Sequence, residues 1–409
     1  MQQQNTLSKN IFNITVIVAA LGYFVDIYDL LLFGIVKTPS LTAIGVAQNN
    51  ILDRGFWLLN WQMTGMLIGG ILWGIFGDKK GRLSVLFGSI FLYSIANIAN
   101  GFIHTLDQYA ACRFLAGLGL AGELGAGITL VSETMTKERR GYGTTIVAAM
   151  GISGAVVSSV VAKLTSWQAA YLIGGALGLV LLVLRLSIYE SGLFKQVREQ
   201  NVPHGDFISL FTDRKKFLRY MRCILIGLPI WFVIGILIFD SSDFSKTLGI
   251  IGNVTNGSSI MYHYAGASIG AFLSGYISQW LKSRKKSLYI FIISLMLFMG
   301  AMPLMKGATA DEFYWFVFFF GIANGYWAVF ITTATEQFGT NIRATVTTTV
   351  PNFVRGSVPL MTTVFVIMTK NFGLMNSALI LGFITMSIAL AASYFTKETY
   401  HHDLDFIEH

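Results

Sequence analysis

Most of this chain is too apolar to be stable in water. Twelve apolar runs, at 11–36, 56–76, 84–103, 109–132, 142–163, 168–188, 221–240, 257–280, 287–305, 313–335, 345–369 and 374–395, carry very little charge. A helix needs about 20 such residues to cross a hydrocarbon core of ~30 Å. With no water to satisfy backbone groups, only helices or closed barrels span lipid. The runs lack the period-two alternation of a barrel strand. The sequence therefore predicts an all-α polytopic membrane protein with twelve transmembrane helices. Charged residues make up 12% of the chain, about half of the ~25% usual in a soluble domain.

The formal charge of +8 invites a nucleic-acid reading, and its distribution argues against one. With the N-terminus taken as inside, twenty of the 29 Lys and Arg fall in inner segments, six in outer segments (Lys37 among them) and three within runs, at Arg113, Arg185 and Arg355. That asymmetry is the positive-inside pattern and predicts cytoplasmic N- and C-termini. Cys112 and Cys223 offer neither a disulfide framework nor a metal spacing. No metal and no cofactor is expected. The first apolar run is too long for the core of a cleaved leader and reads as a permanent span.

The runs divide six and six. Residues 1–190 form an N-terminal bundle, 191–220 a polar cytoplasmic linker with the basic run Arg214-Lys215-Lys216, 221–396 a C-terminal bundle and 397–409 a short tail. A shift of about 203 residues brings the halves into register. Val131-Ser132-Glu133 precedes Arg140 just as Ala334-Thr335-Glu336 precedes Arg343, and Thr144-Thr145-Ile146-Val147 falls against Thr347-Thr348-Thr349-Val350. Gly77-Asp78-Lys79-Lys80-Gly81-Arg82, between the second and third runs, has a weaker copy in Gly275 to Lys286. Parallel duplication implies two pseudo-symmetric six-helix bundles with a site between them near the midplane.

These motifs, in these positions, resemble the major facilitator superfamily over nearly the whole chain. Gly22-Tyr23-Phe24-Val25-Asp26-Ile27-Tyr28-Asp29-Leu30, Arg113-Phe114-Leu115-Ala116-Gly117 followed by Gly122-Glu123, and Tyr189-Glu190-Ser191-Gly192-Leu193-Phe194 are similar to its metabolite–proton and phosphate–proton symporter branches. Gly192 stands where those branches usually have proline. The resemblance implies the major facilitator fold, alternating access, a monomer in a bacterial inner membrane, and a helix-1 acid that pairs with Arg113 until it is protonated.

An ionisable side chain in a bilayer core costs about 2.5–3.5 kcal/mol, which makes such residues the first candidates for function. Asp26 and Asp29, three apart, share one helix face. Two carboxylates so placed cannot both ionise cheaply at low dielectric, which suits a proton carrier. Glu123 is a further proton-site candidate. It does not share a face with Arg113, because ten residues fall well short of whole turns. Arg113 and Arg355, one from each half, offer two clamps for an anion. A salt bridge from Arg355 to Glu336 is the competing expectation. His263 can switch protonation near neutral pH, although a hydrogen-bonded packing role is the alternative for a lone His. Trp61, Gln62, Trp231, Asn324, Tyr326 and Trp327 are placed to line a cavity. Gly65, Gly69, Gly70 and Gly74 have the spacing of close helix packing. At the inner face, Gly77, Asp78, Arg82, Glu133, Arg140, Glu336 and Arg343 are gating candidates. Asp78 faces the positive end of the eleventh helix and Arg82 is expected to pair with Glu133.

The reading is a proton-coupled secondary transporter of a small organic anion or zwitterion, with protons and membrane lipid as its other partners. Alternatives are transport of a polycarboxylate chelator or siderophore, phosphate transport, or drug-type proton antiport. Buried arginines favour anions over lipophilic cations. No phosphate-binding loop points to ATP. A membrane enzyme needs a nucleophile–base pair or metal spacing that the sequence lacks, and a flux-less sensor usually carries a large extra domain.

Overall fold

The computed structural model describes residues 14–80, 82–123, 125, 127, 140–190, 207 and 209–400. The described part of each of the twelve runs is largely helical. In the first half these are α1 (Ile14–Ala43), α2 (Ile51–Lys80), α3 (Arg82–Asn100), α4 (Leu106–Leu120), α5 (Arg140–Leu164) and α6 (Trp167–Glu190). After the short α7 (Ser209–Thr212), α8 (Arg214–Phe232) runs on as a π-helix over Val233–Ile238, and α9 (Ser241–Thr247) follows. The remainder is α10 (Asn256–Trp280), α11 (Arg284–Ala301), α12 (Ala310–Asn324), α13 (Trp327–Glu336), α14 (Thr340–Gly356) and α15 (Val358–Phe395).

Several runs do not map to one helix each. The tenth run is split into α12 and α13 at Gly325–Tyr326. The last two runs share α15, which breaks at Gly373, where φ is +75°. Glycine carries no Cβ to clash in that left-handed conformation, so the chain can reverse there. By length and composition, six described stretches suffice to cross a membrane, namely Val16–Ala43, Trp167–Arg185, Arg214–Ile238, Arg284–Met305, Ala310–Glu336 and Thr345–Phe395. Ser84–Asn100 and Met150–Leu164 are shorter apolar helices.

The internal repeat reappears in the helix packing. Thr105 and Gln108 form a capping box at the start of α4, and Thr309 and Glu312 form one at the start of α12. Each box satisfies two orphan backbone donors. The helices that follow cross their neighbours in the same way. A Cβ on Gly65, Gly69 or Gly117 would strike backbone at the α2–α4 crossing, on Phe114, Leu118 and Gln62. A Cβ on Gly266, Gly270 or Gly321 would strike Phe318, Ile322 and His263 at the α10–α12 crossing. Without side chains between them, the backbones close to direct contact, which gains dispersion energy where lipid supplies no hydrophobic drive. Gly70 and Gly74 look the other way, toward Asn352 and Thr349 of α14. The small-residue stripe of α2 thus serves two neighbours.

Contacts between the halves run from one end to the other. Helix α2 packs on α14 and α15, and α10 packs on α5 and α1. The Asn352 amide donates to the Ala121 carbonyl at 2.9 Å, the Thr362 hydroxyl donates to the side-chain Asn60 Oδ1 at 2.7 Å, and Ser159 donates to the Gly257 carbonyl at 3.2 Å.

The chain beyond α15 is tied down. Glu398 accepts hydrogen bonds from the Ser283 hydroxyl and from the backbone of Arg284 and Lys285, capping α11. Burial alone would raise its pKa. Those hydrogen bonds, and one from Tyr400, outweigh burial and hold it below the usual 4.5 of a glutamate. A carboxylate with a depressed native pKa stabilises the fold above its unfolded pKa and loses that contribution as pH falls through the native value.

Two outcomes follow from this packing. Gly65→Leu and Gly266→Leu are expected to lower the melting temperature in detergent or to abolish a monodisperse peak. Gly74→Ala, whose Cβ would lie 3.5 Å from the Thr349 methyl, is expected to be tolerated. Glu398→Ala is expected to lower the melting temperature at neutral pH, with the difference from the parent shrinking as the pH is taken below 4.5.

Candidate functional site

Eight charged side chains among the described residues are buried: the acids Asp26, Asp29, Glu123 and Asp240, and the bases Lys37, Arg113, Arg185 and Arg355. Two acid–base pairs are in direct contact. Arg185 of α6 grips Glu123 with both guanidinium nitrogens, one at 3.1 Å, and also donates to the Val18 carbonyl of α1 at 3.4 Å. A Cβ at Gly22 would collide with both partners, so α1 reaches this pair only through a glycine. Glu123 is therefore a gripped carboxylate, and its partner is a residue to which the sequence assigned no role. Lys37 bonds Asp240, across 203 positions, and donates to the Phe239 carbonyl at 3.1 Å. The charge pattern along the sequence puts Lys37 in an outer segment. The structure instead puts it inside α1 with its amine buried against the end of the π-helix, because α1 runs on to Ala43.

The other four, Asp26, Asp29, Arg113 and Arg355, form no ion pair with any described residue. Among the described residues the carboxylate oxygens of Asp26, Arg113 Nη1 and Arg355 Nε have no hydrogen-bond partner, and the Asn97 amide is the neutral group facing the Asp29 carboxylate. Arg113 is oriented by neutral groups. It donates to Asn97 Oδ1 at 2.7 Å and to Asn100 Oδ1 at 3.3 Å on α3, and its guanidinium lies 4.6 Å over the Tyr171 ring. Tyr171 bonds Tyr109 at 2.9 Å, and Tyr109 bonds Ser40 at 3.0 Å. Asp29 is within electrostatic reach of Arg113. The pairing of a helix-1 acid with Arg113 that the resemblance implies is not made as a direct ion pair among the described residues, and Arg113 bonds the asparagines of α3 instead.

Arg355 lies in α14, with its guanidinium carbon 5.6 Å from the ring of Trp231 and 5.6 Å from that of Trp327. Nη1 donates to Asn352 Oδ1 at 3.4 Å. The expected alternative partner, Glu336, binds Arg284 instead, through two bonds of 3.0 and 3.2 Å, and also accepts from Thr399. The acid within electrostatic reach of Arg355 is Asp26, from the first half. Tyr23 and Tyr264 stand in the same field. Indole faces stabilise a guanidinium by cation–π attraction and leave its N–H edge free for a planar anion.

The remaining candidates separate into groups. Asn324 donates to His263 Nε2 at 3.1 Å and to the Ile230 carbonyl at 3.4 Å, which leaves the imidazole proton on Nδ1. Tyr326 donates to the Ile226 carbonyl at 2.9 Å, and Gln62 donates to the Leu30 carbonyl at 3.4 Å. All four are buried. Trp61 is 42% exposed, on one stripe of α2 with Ile68, Leu72 and Phe76, and packs edge-on to Trp57 and Phe114. It does not join the buried set. Of the inner-face candidates, Glu133 lies outside the described residues, as do the side chains of Asp78, Arg82 and Arg140. Gly77 lies within α2. Arg343 donates to the Phe338 carbonyl at 3.2 Å. Asn97, Asn100, Tyr171, Asp240 and Arg185 were missed. The signal that could have found the asparagines is their spacing of three within an apolar run.

A family model described as Major Facilitator Superfamily matches residues 19–360. The chain belongs to that superfamily and is a multi-pass membrane transporter, not an enzyme, and its helical architecture is consistent with the twelve-span fold. It is similar to the Niacin transporter NiaP of Acinetobacter baylyi (strain ATCC 33305 / BD413 / ADP1), 28% identical over 376 residues, covering 80% of each chain. A Bacillus subtilis (strain 168) protein provisionally named niacin/nicotinamide transporter NiaP is 26% identical over 340 residues, 80% of this chain and 81% of that one. The Benzoate transport protein of the same Acinetobacter strain is 27% identical over 202 residues, 47% of this chain and 42% of that one.

Removing one partner of a buried ion pair costs about 3–5 kcal/mol, because it strands the other charge. Arg185→Met and Glu123→Leu are each expected to destabilise the protein by about that amount. The double variant is expected to recover most of the loss in thermal unfolding.

Proposed function

We propose that this protein is a proton-coupled symporter that imports a small aromatic monocarboxylate across a bacterial inner membrane, as a monomer with both termini in the cytoplasm. The observation that carries the reading is the Arg355 guanidinium, buried between two indoles with no acid among the described residues bonded to it. Such a group holds a carboxylate by its N–H edge, while Trp231 and Trp327 offer faces to a ring. Niacin and benzoate, in the names of the relatives, are both aromatic monocarboxylates, which supports the same chemistry here. Arg113, over Tyr171, offers the same kind of clamp from the other half.

In this reading residues 1–190 and 221–396 are two bundles that rock about the site, joined by the linker 191–220. The Lys37–Asp240 pair closes one end of the interface. The Asn352–Ala121 contact and the Gly70–Asn352 approach close the other. Asp29, near Arg113 and in no ion pair among the described residues, takes the proton, and Asp26 answers to Arg355 in the same way. Rocking then exposes the loaded site to the cytoplasm.

Nicotinate uptake into proteoliposomes is expected to follow an inward proton gradient. Asp29→Asn is expected to abolish uphill uptake while counterflow exchange persists, and Arg355→Gln to weaken nicotinate binding at least tenfold. Uphill uptake retained by Asp29→Asn would remove Asp29 from the coupling role.

A further inference from the structure

The groups around Arg355 are of two kinds. The indole faces of Trp231 and Trp327 suit any flat ring. Two buried phenols stand in the same field, Tyr23 of α1 from the first half and Tyr264 of α10 from the second. Tyr264 lies beside His263, with ring centroids 5.9 Å apart. Tyr23 is held in place by α5, because a Cβ on Gly151 would collide with its Cδ1 and Cε1.

Trp327 joins the two kinds. It opens α13 just after the break at Gly325–Tyr326. Its ring lies 5.6 Å from the Arg355 guanidinium carbon, and its N–H faces the Tyr23 hydroxyl. An indole nitrogen only donates, whereas a phenol both donates and accepts. Tyr23 therefore answers Trp327 with a lone pair and keeps its own proton to give. Asp26, three residues on, is the acid in reach of that hydroxyl, yet neither of its oxygens has a hydrogen-bond partner among the described residues. The site thus presents one uncommitted O–H donor beside an anion clamp and two ring faces.

We infer that Tyr23 sets the ring specificity of the site: its hydroxyl donates to a ring nitrogen, so that a pyridine-type carboxylate is taken in preference to a benzoate-type one. This rests on the aromatic monocarboxylate reading above and narrows its substrate class. Arg355 and the indoles hold both kinds of ligand equally, since the carboxylate and the ring area are the same. Only a group that meets the ring edge can tell them apart. A C–H in place of the nitrogen leaves the Tyr23 proton unpaired in a site shielded from water. A site built to donate a hydrogen bond rejects the analogue that cannot accept it. The donor comes from α1, while the clamp and the faces come from α14, α8 and α13, so the ring is read only where the two halves meet.

The test measures binding of nicotinate and of benzoate to the purified full chain by titration calorimetry. The parent protein is expected to bind nicotinate about tenfold more tightly than benzoate. Tyr23→Phe keeps the ring against Gly151 and removes the hydroxyl. It is expected to bring the two ligands within about twofold by weakening nicotinate alone. Trp327→Phe keeps a ring face and removes the N–H that orients Tyr23, and it is expected to narrow the gap as well. A parent that binds both ligands alike, or a Tyr23→Phe protein that loses affinity for both equally or keeps the full preference, overturns the inference. Should Tyr23→Phe not fold, a preference left intact by Trp327→Phe overturns it instead. In each of these cases the aromatic carboxylate reading stands as long as Arg355→Gln weakens both ligands. Binding of neither ligand by the parent, or equal binding of both by Arg355→Gln and the parent, overturns that reading too.

Discussion

A charge inside a hydrocarbon core has no water to relax around it, and the interior of this protein is built to that constraint. Its four buried acids and four buried bases are matched among the described residues. Two pairs are spent in direct contact, and each does structural work. Glu123–Arg185 joins α6 to the chain just beyond α4, and α1 comes against both through Gly22. Lys37–Asp240 joins the first helix to the end of the π-helix in the second half. The other two bases are held in place by neutral neighbours: asparagines and a tyrosine around Arg113, indoles and an asparagine around Arg355. The difference is physical. A carboxylate already in a bidentate ion pair gives up its partner at a large cost. A guanidinium resting on ring faces keeps its donor edge for a ligand.

The packing that holds these groups has little to do with hydrophobicity, since the lipid is as apolar as the helix faces. It depends on how closely backbones approach. The same glycine-mediated crossing occurs twice, at α2–α4 and at α10–α12, and the same capping box starts α4 and α12. Arg113 sits on α4, between one such crossing and the asparagines of α3. His263 and Asn324 sit at the other. The duplication supplies two rigid supports, and the two halves have filled them with different chemistry.

Membership of the superfamily gives transport and the membrane. The indole-flanked arginine, and two buried aspartates in no ion pair among the described residues, support the proposal of an aromatic anion and a proton. The inner face contributes less, because Glu133 and the side chains of Asp78, Arg82 and Arg140 lie outside the described residues. Its described part, Glu336 with Arg284 and the tail, ties α10, α11 and α13 together within the second half.

Sequence by itself determined the helices, the duplication and most of the charged cast. Apolar length sets a span, spacing in one helix sets a face, and both are local, so Asp26, Asp29, Arg113 and Arg355 stood out along with the twelve runs. What only the tertiary structure decided is who pairs with whom. Arg185 was visible as a charge within a run, but its partner lies 62 positions away. Lys37 lies just past the end of its apolar run, and its partner Asp240 is 203 positions away. Trp61 and Gln62 are neighbours in sequence, and a turn of 100° per residue sends one outward and the other into the core. Ion pairing at low dielectric depends on a few ångströms of separation, and those ångströms are set by helix crossings that no stretch of sequence contains.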